Sequence, residues 1–172
     1  RFQPNVDHLA ALDHQVEGLI VASPSNPAGT MLSRKDLGAV YGYCRDNGIR
    51  LISDEIYHGL TYEGPAQTAL QYSDQAIVIN SFSKYFSMTG WRIGWMVVPE
   101  DLVRPIERLA QNLFICPPAI AQHAALGAFD ATEELEGHRK VYAANRAILL
   151  EELPKAGLTS ILPADGAFYI YA

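Results

Sequence analysis

Cysteine is almost missing from this sequence: two residues in 172, Cys44 and Cys116, far apart and each in an apolar context. That argues against a disulfide framework, and both thiols are expected to be buried, in a reducing compartment. Positive charge is also short. Thirteen Lys and Arg against nineteen Asp and Glu leave a formal charge of −6 with no basic run. Such a balance excludes an obvious nucleic-acid or anionic-membrane surface. No apolar stretch approaches the roughly 20 residues that span a bilayer, and Arg1-Phe2-Gln3-Pro4-Asn5 lacks the apolar core of a secretory signal. Internal repeats, low-complexity tracts and Gly/Ser-rich linkers are absent too. The five histidines show no metal-ligand spacing. Glu134 and His138, one helical turn apart, read as a surface contact rather than a zinc site. What remains is ordinary globular composition, 49% apolar and 19% charged, enough for one domain with a real core. The expectation is a soluble, acidic, cytoplasmic α/β domain.

Short apolar runs alternate with amphipathic stretches. Gly18–Ser23, Ile49–Ser53 and Ala76–Asn80 read as strands buried in a sheet, and Arg92–Val98 as a fourth. Ser33-Arg-Lys-Asp36 is a capping box ahead of Leu37, Val40, Tyr41 and Cys44 at helical spacing, and Asn47-Gly48 closes that helix. Three more helices are expected, at about residues 100–112, 118–129 and 132–153. The last carries Leu135, Tyr142 and Leu149 on one stripe with Val141 and Ile148 beside it, read as core or a domain-joining face. Trp91 and Trp95 read as packing residues. Ala167–Tyr171 looks like a final strand cut off in mid-run.

Strand, helix, strand at this spacing implies a mostly parallel sheet, and such sheets bind ligands beyond the carboxyl ends of their strands. That rule singles out Asn26 after the first strand, Asp54 and Tyr57 after the second, and Ser81, Ser83 and Lys84 after the third, with Arg92 soon following. Each has an ordinary reading: Lys84 an exposed loop lysine, Asp54 a cap or ion pair, Asn26 part of a tight turn. Tyr57 could equally be a packing aromatic and Arg92 a salt-bridge partner. Together they are more specific. An amine that an apolar pocket can keep neutral, a carboxylate, a phenol, an amide and a Ser/Arg pair supply what pyridoxal phosphate needs.

Three segments carry a family resemblance: Ser25-Asn-Pro-Ala-Gly-Thr30, Ser53-Asp-Glu-Ile-Tyr57 and Ser81-Phe-Ser-Lys-Tyr-Phe-Ser-Met-Thr-Gly-Trp-Arg-Ile-Gly94. In order and spacing they resemble the class I/II aminotransferases, fold type I enzymes that depend on pyridoxal 5'-phosphate. Gly166-Ala-Phe-Tyr169 extends the likeness to the far end of the chain. The resemblance implies a three-layer α/β/α fold with a mostly parallel sheet, the Arg92–Val98 strand running antiparallel. It implies that Lys84 forms the imine with the cofactor and then moves the substrate proton, and that Asp54 keeps the ring nitrogen protonated. Tyr57 and Asn26 would donate to the ring's phenolic oxygen, Asn26 also reaching the substrate carboxylate. Ser81, Arg92 and, less directly, Ser83 would hold the phosphate.

The activity so implied is transfer of an amino group between an amino acid and a 2-oxo acid, by a homodimer. Another reaction on the same cradle, such as C–S lysis, and a non-catalytic pyridoxal phosphate-binding regulator are the alternatives. The resemblance also places residues 1–155 in a partial large domain with the helices leading out of it, and residues 156–172 at the start of a small C-terminal domain. A phosphate-binding helix N-terminus and a ring-stacking aromatic would precede Arg1, and a carboxylate-binding arginine would follow Ala172. Residues 1–172 alone are therefore expected to bind cofactor weakly or not at all and to show no measurable transaminase activity.

Overall fold

The computed structural model describes residues 2–172. Four strands, β1 (Gly18–Ala22), β2 (Arg50–Asp54), β3 (Ile77–Ser81) and β4 (Gly94–Val97), lie in the order β1-β2-β3-β4. β1 pairs with β2 and β2 with β3 in parallel, whereas β3 and β4 are antiparallel. The α/β class, the mostly parallel sheet and the reversed fourth strand are as the sequence implies. The helices are α1 (Val6–Ala10), α2 (Arg34–Asp46), α3 (Glu100–Leu113), α4 (Ala119–Ala128) and α5 (Thr132–Lys155).

Why α2 sits where it does follows from its sequence. The Ser33 hydroxyl oxygen accepts from the Asp36 amide at 3.1 Å and its proton goes to the Asp36 carboxylate at 2.6 Å. One orphan donor of the first turn is thereby satisfied. Leu37, Val40 and Cys44 then face Val21, Leu51 and Val78 on one side of the sheet, with Val40 wholly buried at 0% exposure. Burying a side chain of this size contributes about 1.5–3 kcal/mol. The opposite side carries Ile20, 70% exposed, with Ile52, Ile77 and Ile79 half-buried. Among the described residues the sheet and the helical layer on one side of it are thus built.

Several expectations need correction. Ala167–Tyr171 is not a strand: Gly166 makes a lone bridge to Thr61, and Ala167 then turns to φ +59°. That left-handed conformation breaks any extended run. The chain docks there instead, the Gly166 amide donating to Gly29 O (2.9 Å) and the Ala167 amide to Leu60 O (2.8 Å). A Cβ on Gly166 would meet Leu60 O at 2.8 Å and Pro24 Cγ at 2.5 Å, so only glycine fits this approach. Cys44 is buried as expected, but Cys116 is exposed, between α3 and α4 beside exposed Phe114 and Ile115. His138 reaches Ser87 Oγ at 3.2 Å rather than Glu134. Trp91 and Trp95 are both exposed, and Trp95 packs one edge against Phe82. On α5 only Leu135 is buried; Tyr142 is half-buried near Tyr57, and Val141, Ile148 and Leu149 are exposed. Helix α1 was not foreseen, because five residues held by the Asn5 cap are too few to show a period.

Leu37→Ala should lower the unfolding free energy by about 2–5 kcal/mol, and Lys35→Ala, exposed on the same helix, by no more than about 0.5. Chemical denaturation of both variants checks this. Equal losses would mean that α2 does not hold its face through Leu37.

Candidate functional site

Because β1, β2 and β3 are parallel, their carboxyl ends reach one rim of the sheet. β4 runs the other way, so its start returns to that rim, with Gly94 opposite Ser81. The sequence-predicted residues lie along this rim: Asp54 and Ser81 end β2 and β3, and Asn26, Tyr57, Ser83, Lys84 and Arg92 stand on the loops that follow.

Tyr57 is the anchor of the group. It is 2% exposed and packs with Leu60 and Ala167. Lys84 Nζ sits 5.5 Å from its ring centroid and 5.7 Å from that of Phe168. The amine therefore stands beside an edge-to-face pair of aromatic rings, whose centroids are 5.6 Å apart, and it makes no ion pair among the described residues. Burial pushes the Tyr57 phenol well above the ordinary tyrosine range, helped by its bond to Tyr169 and the nearby Asp54 charge; Asn26 acts in the opposite sense. Four of the predicted residues, Asn26, Asp54, Tyr57 and Lys84, are thus neighbours. Asp54 is half-buried, and its Oδ1 accepts from the Ile56 amide at 3.2 Å.

Ser81, Ser83 and Arg92 form a second group, tied by a polar ladder. Ser81 Oγ accepts from the Ser83 amide (3.0 Å), Ser83 O accepts from Thr89 Oγ1 (2.9 Å), and Thr89 O accepts from Arg92 Nη1 (2.9 Å). Ser83 takes part through its backbone. Arg92 is exposed at φ +53°, which turns the chain from the Thr89–Trp91 turn into β4. The Ser81 proton and the remaining guanidinium donors stay open to an anion.

Other residues fix these loops in place. Glu55 is 3% exposed, and its carboxylate accepts from Ser53 Oγ (2.9 Å) and the Ala69 amide (2.8 Å). His58 lies between that carboxylate, at 3.4 Å, and Ser23 O, at 3.1 Å, joining the ends of β2 and β1. The lysine loop is clamped from both sides. Tyr85 Oη donates to Glu136 Oε1 (2.8 Å), whose other oxygen takes Arg139 Nε (2.7 Å). Those two bonds hold the Glu136 carboxyl below the usual carboxylate range. On its other side the Tyr85 ring lies over Gly59, φ +92°, where a Cβ would approach within 2.5 Å. Tyr169, whose hydroxyl is 2.7 Å from that of Tyr57, was also missed; 112 residues separate the two. Ser53, Glu55 and His58 are close in sequence, but the contacts to Ala69, Ser23, Glu136 and Tyr169 are long-range.

Chemically, the rim offers an amine beside two aromatic rings, a half-buried carboxylate, a phenol held protonated, and a hydroxyl with a guanidinium. That set fits a phosphorylated carbonyl compound with a basic ring nitrogen.

The sequence family described as aminotransferase class I and II matches residues 1–172. The valine–pyruvate aminotransferase of Mycobacterium tuberculosis is 49% identical over 176 residues, covering 100% of this chain and 45% of that protein. The crystal structure of an aminotransferase from the same organism superposes with a TM-score of 0.95 at 48% identity, over 99% of this chain and 45% of that one. Aspartate aminotransferase from Thermus thermophilus with maleate gives 0.91 at 31% identity, over 98% and 46%. The chain spans a little under half the length of these relatives.

A phenol raised in the native state binds its proton when the unfolded chain, ionising near pH 10, has lost it. The stability so conferred is present below about pH 10 and is lost as pH rises beyond it. Tyr62 and Tyr85, also raised by burial, act in the same direction. The denaturation midpoint should therefore fall as pH rises above about 10, and fall less steeply in Tyr57→Phe. An identical slope in the variant would show that Tyr57 ionises as freely in the native state as in the unfolded one.

Proposed function

The chain belongs to the class I and II aminotransferases, and from that premise we propose that it forms the cofactor-binding rim of a pyridoxal phosphate-dependent enzyme moving an amino group between an amino acid and a 2-oxo acid. The observation that carries the reading is the lysine amine of Lys84, without an ion-pair partner, 5.5 Å from the buried Tyr57 ring. An amine needs an apolar flank and no tight carboxylate to act as a nucleophile near neutral pH. Bound there, the cofactor would supply a carbonyl that condenses with amines and a ring that accepts charge from the substrate carbon.

The residues would divide the work as follows. Lys84 would hold the cofactor through its amine and would take and return the proton at the substrate α-carbon. Asp54 holds a proton on the ring nitrogen, its negative charge favouring the positive ring. Tyr57 and Asn26 donate to the phenolic oxygen, and Asn26 also orients the substrate carboxylate. Ser81 and Arg92 hold the phosphate with charge-assisted bonds, Ser83 contributing at the edge. By the same reading residues 1–155 belong to the large domain and 156–172 open the small one. The whole protein is cytoplasmic and homodimeric; exposed apolar residues of α3 and α4, such as Leu113 and Ile120, suit a covered face.

The valine–pyruvate relative makes valine with pyruvate the first pair to try. The full-length protein with cofactor should form alanine from them or from another donor in a panel. Lys84→Ala should abolish turnover, and Asp54→Asn should reduce it about 100- to 1,000-fold while cofactor stays bound. Release of ammonia and a 2-oxo acid without an aminated product would mark a lyase instead. Bound cofactor with no product at all would mark a regulator.

A further inference from the structure

The Tyr57 hydroxyl has a neighbour that the reading above leaves unused, Tyr169 Oη at 2.7 Å. Tyr169 is half-buried and held from several directions. The Ala167 amide donates to Leu60 O (2.8 Å), Tyr62 Oη donates to Ala167 O (2.6 Å), and the Tyr169 ring meets Tyr57 at 76° and Phe168 at 55°. Its hydroxyl is therefore placed by packing and backbone bonds that do not depend on the hydroxyl itself.

Two phenols in contact share two protons, and each oxygen can donate one bond and accept others. Either hydroxyl can be the donor. If Tyr57 donates to Tyr169, its proton is engaged there and cannot be offered elsewhere. If Tyr169 donates to Tyr57, the Tyr57 proton is available, and its O–H is further polarised by the bond it accepts. An oxyanion beside Tyr57 can only accept, so it selects the second arrangement. The other charged and polar groups facing the pair are Lys84, Asp54 and Asn26. Of these, Asn26 bonds to Tyr57 in the sense that favours its ionised form, and Asp54 acts in the opposite sense.

Resting on the pyridoxal phosphate reading, we propose that Tyr169 is a positioning residue, donating its proton to Tyr57 Oη and so strengthening the bond Tyr57 gives the cofactor's phenolic oxygen. A stronger donor at that oxygen favours the deprotonated, more negative form of the bound cofactor. It therefore lowers the pH at which the visible band changes. Burial holds Tyr57 protonated, which keeps it a donor across that range.

Tyr169→Phe removes the hydroxyl and keeps the ring. In the full-length protein with pyridoxal phosphate, the midpoint of the visible-band titration should rise by about 0.3–1 pH unit, and the cofactor should dissociate about two- to tenfold more readily. Tyr57→Phe should raise the midpoint further, and adding Tyr169→Phe to it should change nothing, since the effect passes through the Tyr57 hydroxyl. A purely structural role for Tyr169 would not show that coupling. A wild-type midpoint in Tyr169→Phe, or shifts that add in the double variant, would overturn the inference while leaving the cofactor reading intact. A wild-type protein with no visible band in the presence of cofactor would overturn both.

Discussion

Parallel pairing of β1, β2 and β3 is the constraint on which the site depends. It sends three strand ends to one rim, so that loops distant in sequence meet there. Register matters as much as direction. Ala22, Asp54 and Ile79 stand side by side, and a slip of one residue in β2 would turn Asp54 to the face that α2 covers. The antiparallel β4 completes the arrangement by bringing Arg92 back beside Ser81. α2 holds the sheet through Leu37, Val40 and Cys44, and takes no part in the rim itself.

Three fastenings convert the loops into a surface of fixed shape. The Glu55–His58 pair, with Ser53 and Ser23, joins the ends of β1 and β2. Tyr85 with Glu136 and Arg139 pins the lysine loop to the first turns of α5. The segment after α5 returns to the rim, where Gly166 and Ala167 bond to the loops following β1 and β2 and deliver Tyr169 to Tyr57. Each joins chain segments with satisfied polar groups, so none leaves a buried donor or acceptor unpaired. The chemistry of the rim rests on few residues and its geometry on more.

Much of this was legible in the sequence because the signals were local. Apolar runs marked β1, β2 and β3, a capping box marked α2, and the strand-end rule picked out Asn26, Asp54, Tyr57, Ser81 and Lys84 before any contact was known. What was illegible was long-range. Tyr169 and Glu136 matter through partners 112 and 51 residues away, and no periodicity encodes that. Ala167–Tyr171 has the composition of a strand, yet docking of Gly166 and Ala167 overrides that propensity. Cys116 has apolar neighbours in sequence, but Phe114 and Ile115 are themselves exposed, so the local context misled.

The central claim is that Lys84 is the amine that holds the cofactor. Reduction of the full-length protein with borohydride in the presence of pyridoxal phosphate, followed by peptide mass mapping, tests it most directly. The account predicts a stable pyridoxyl mass on the peptide containing Lys84, and none there in a sample reduced without cofactor. A label on Lys35, Lys140 or Lys155 in its place would contradict it.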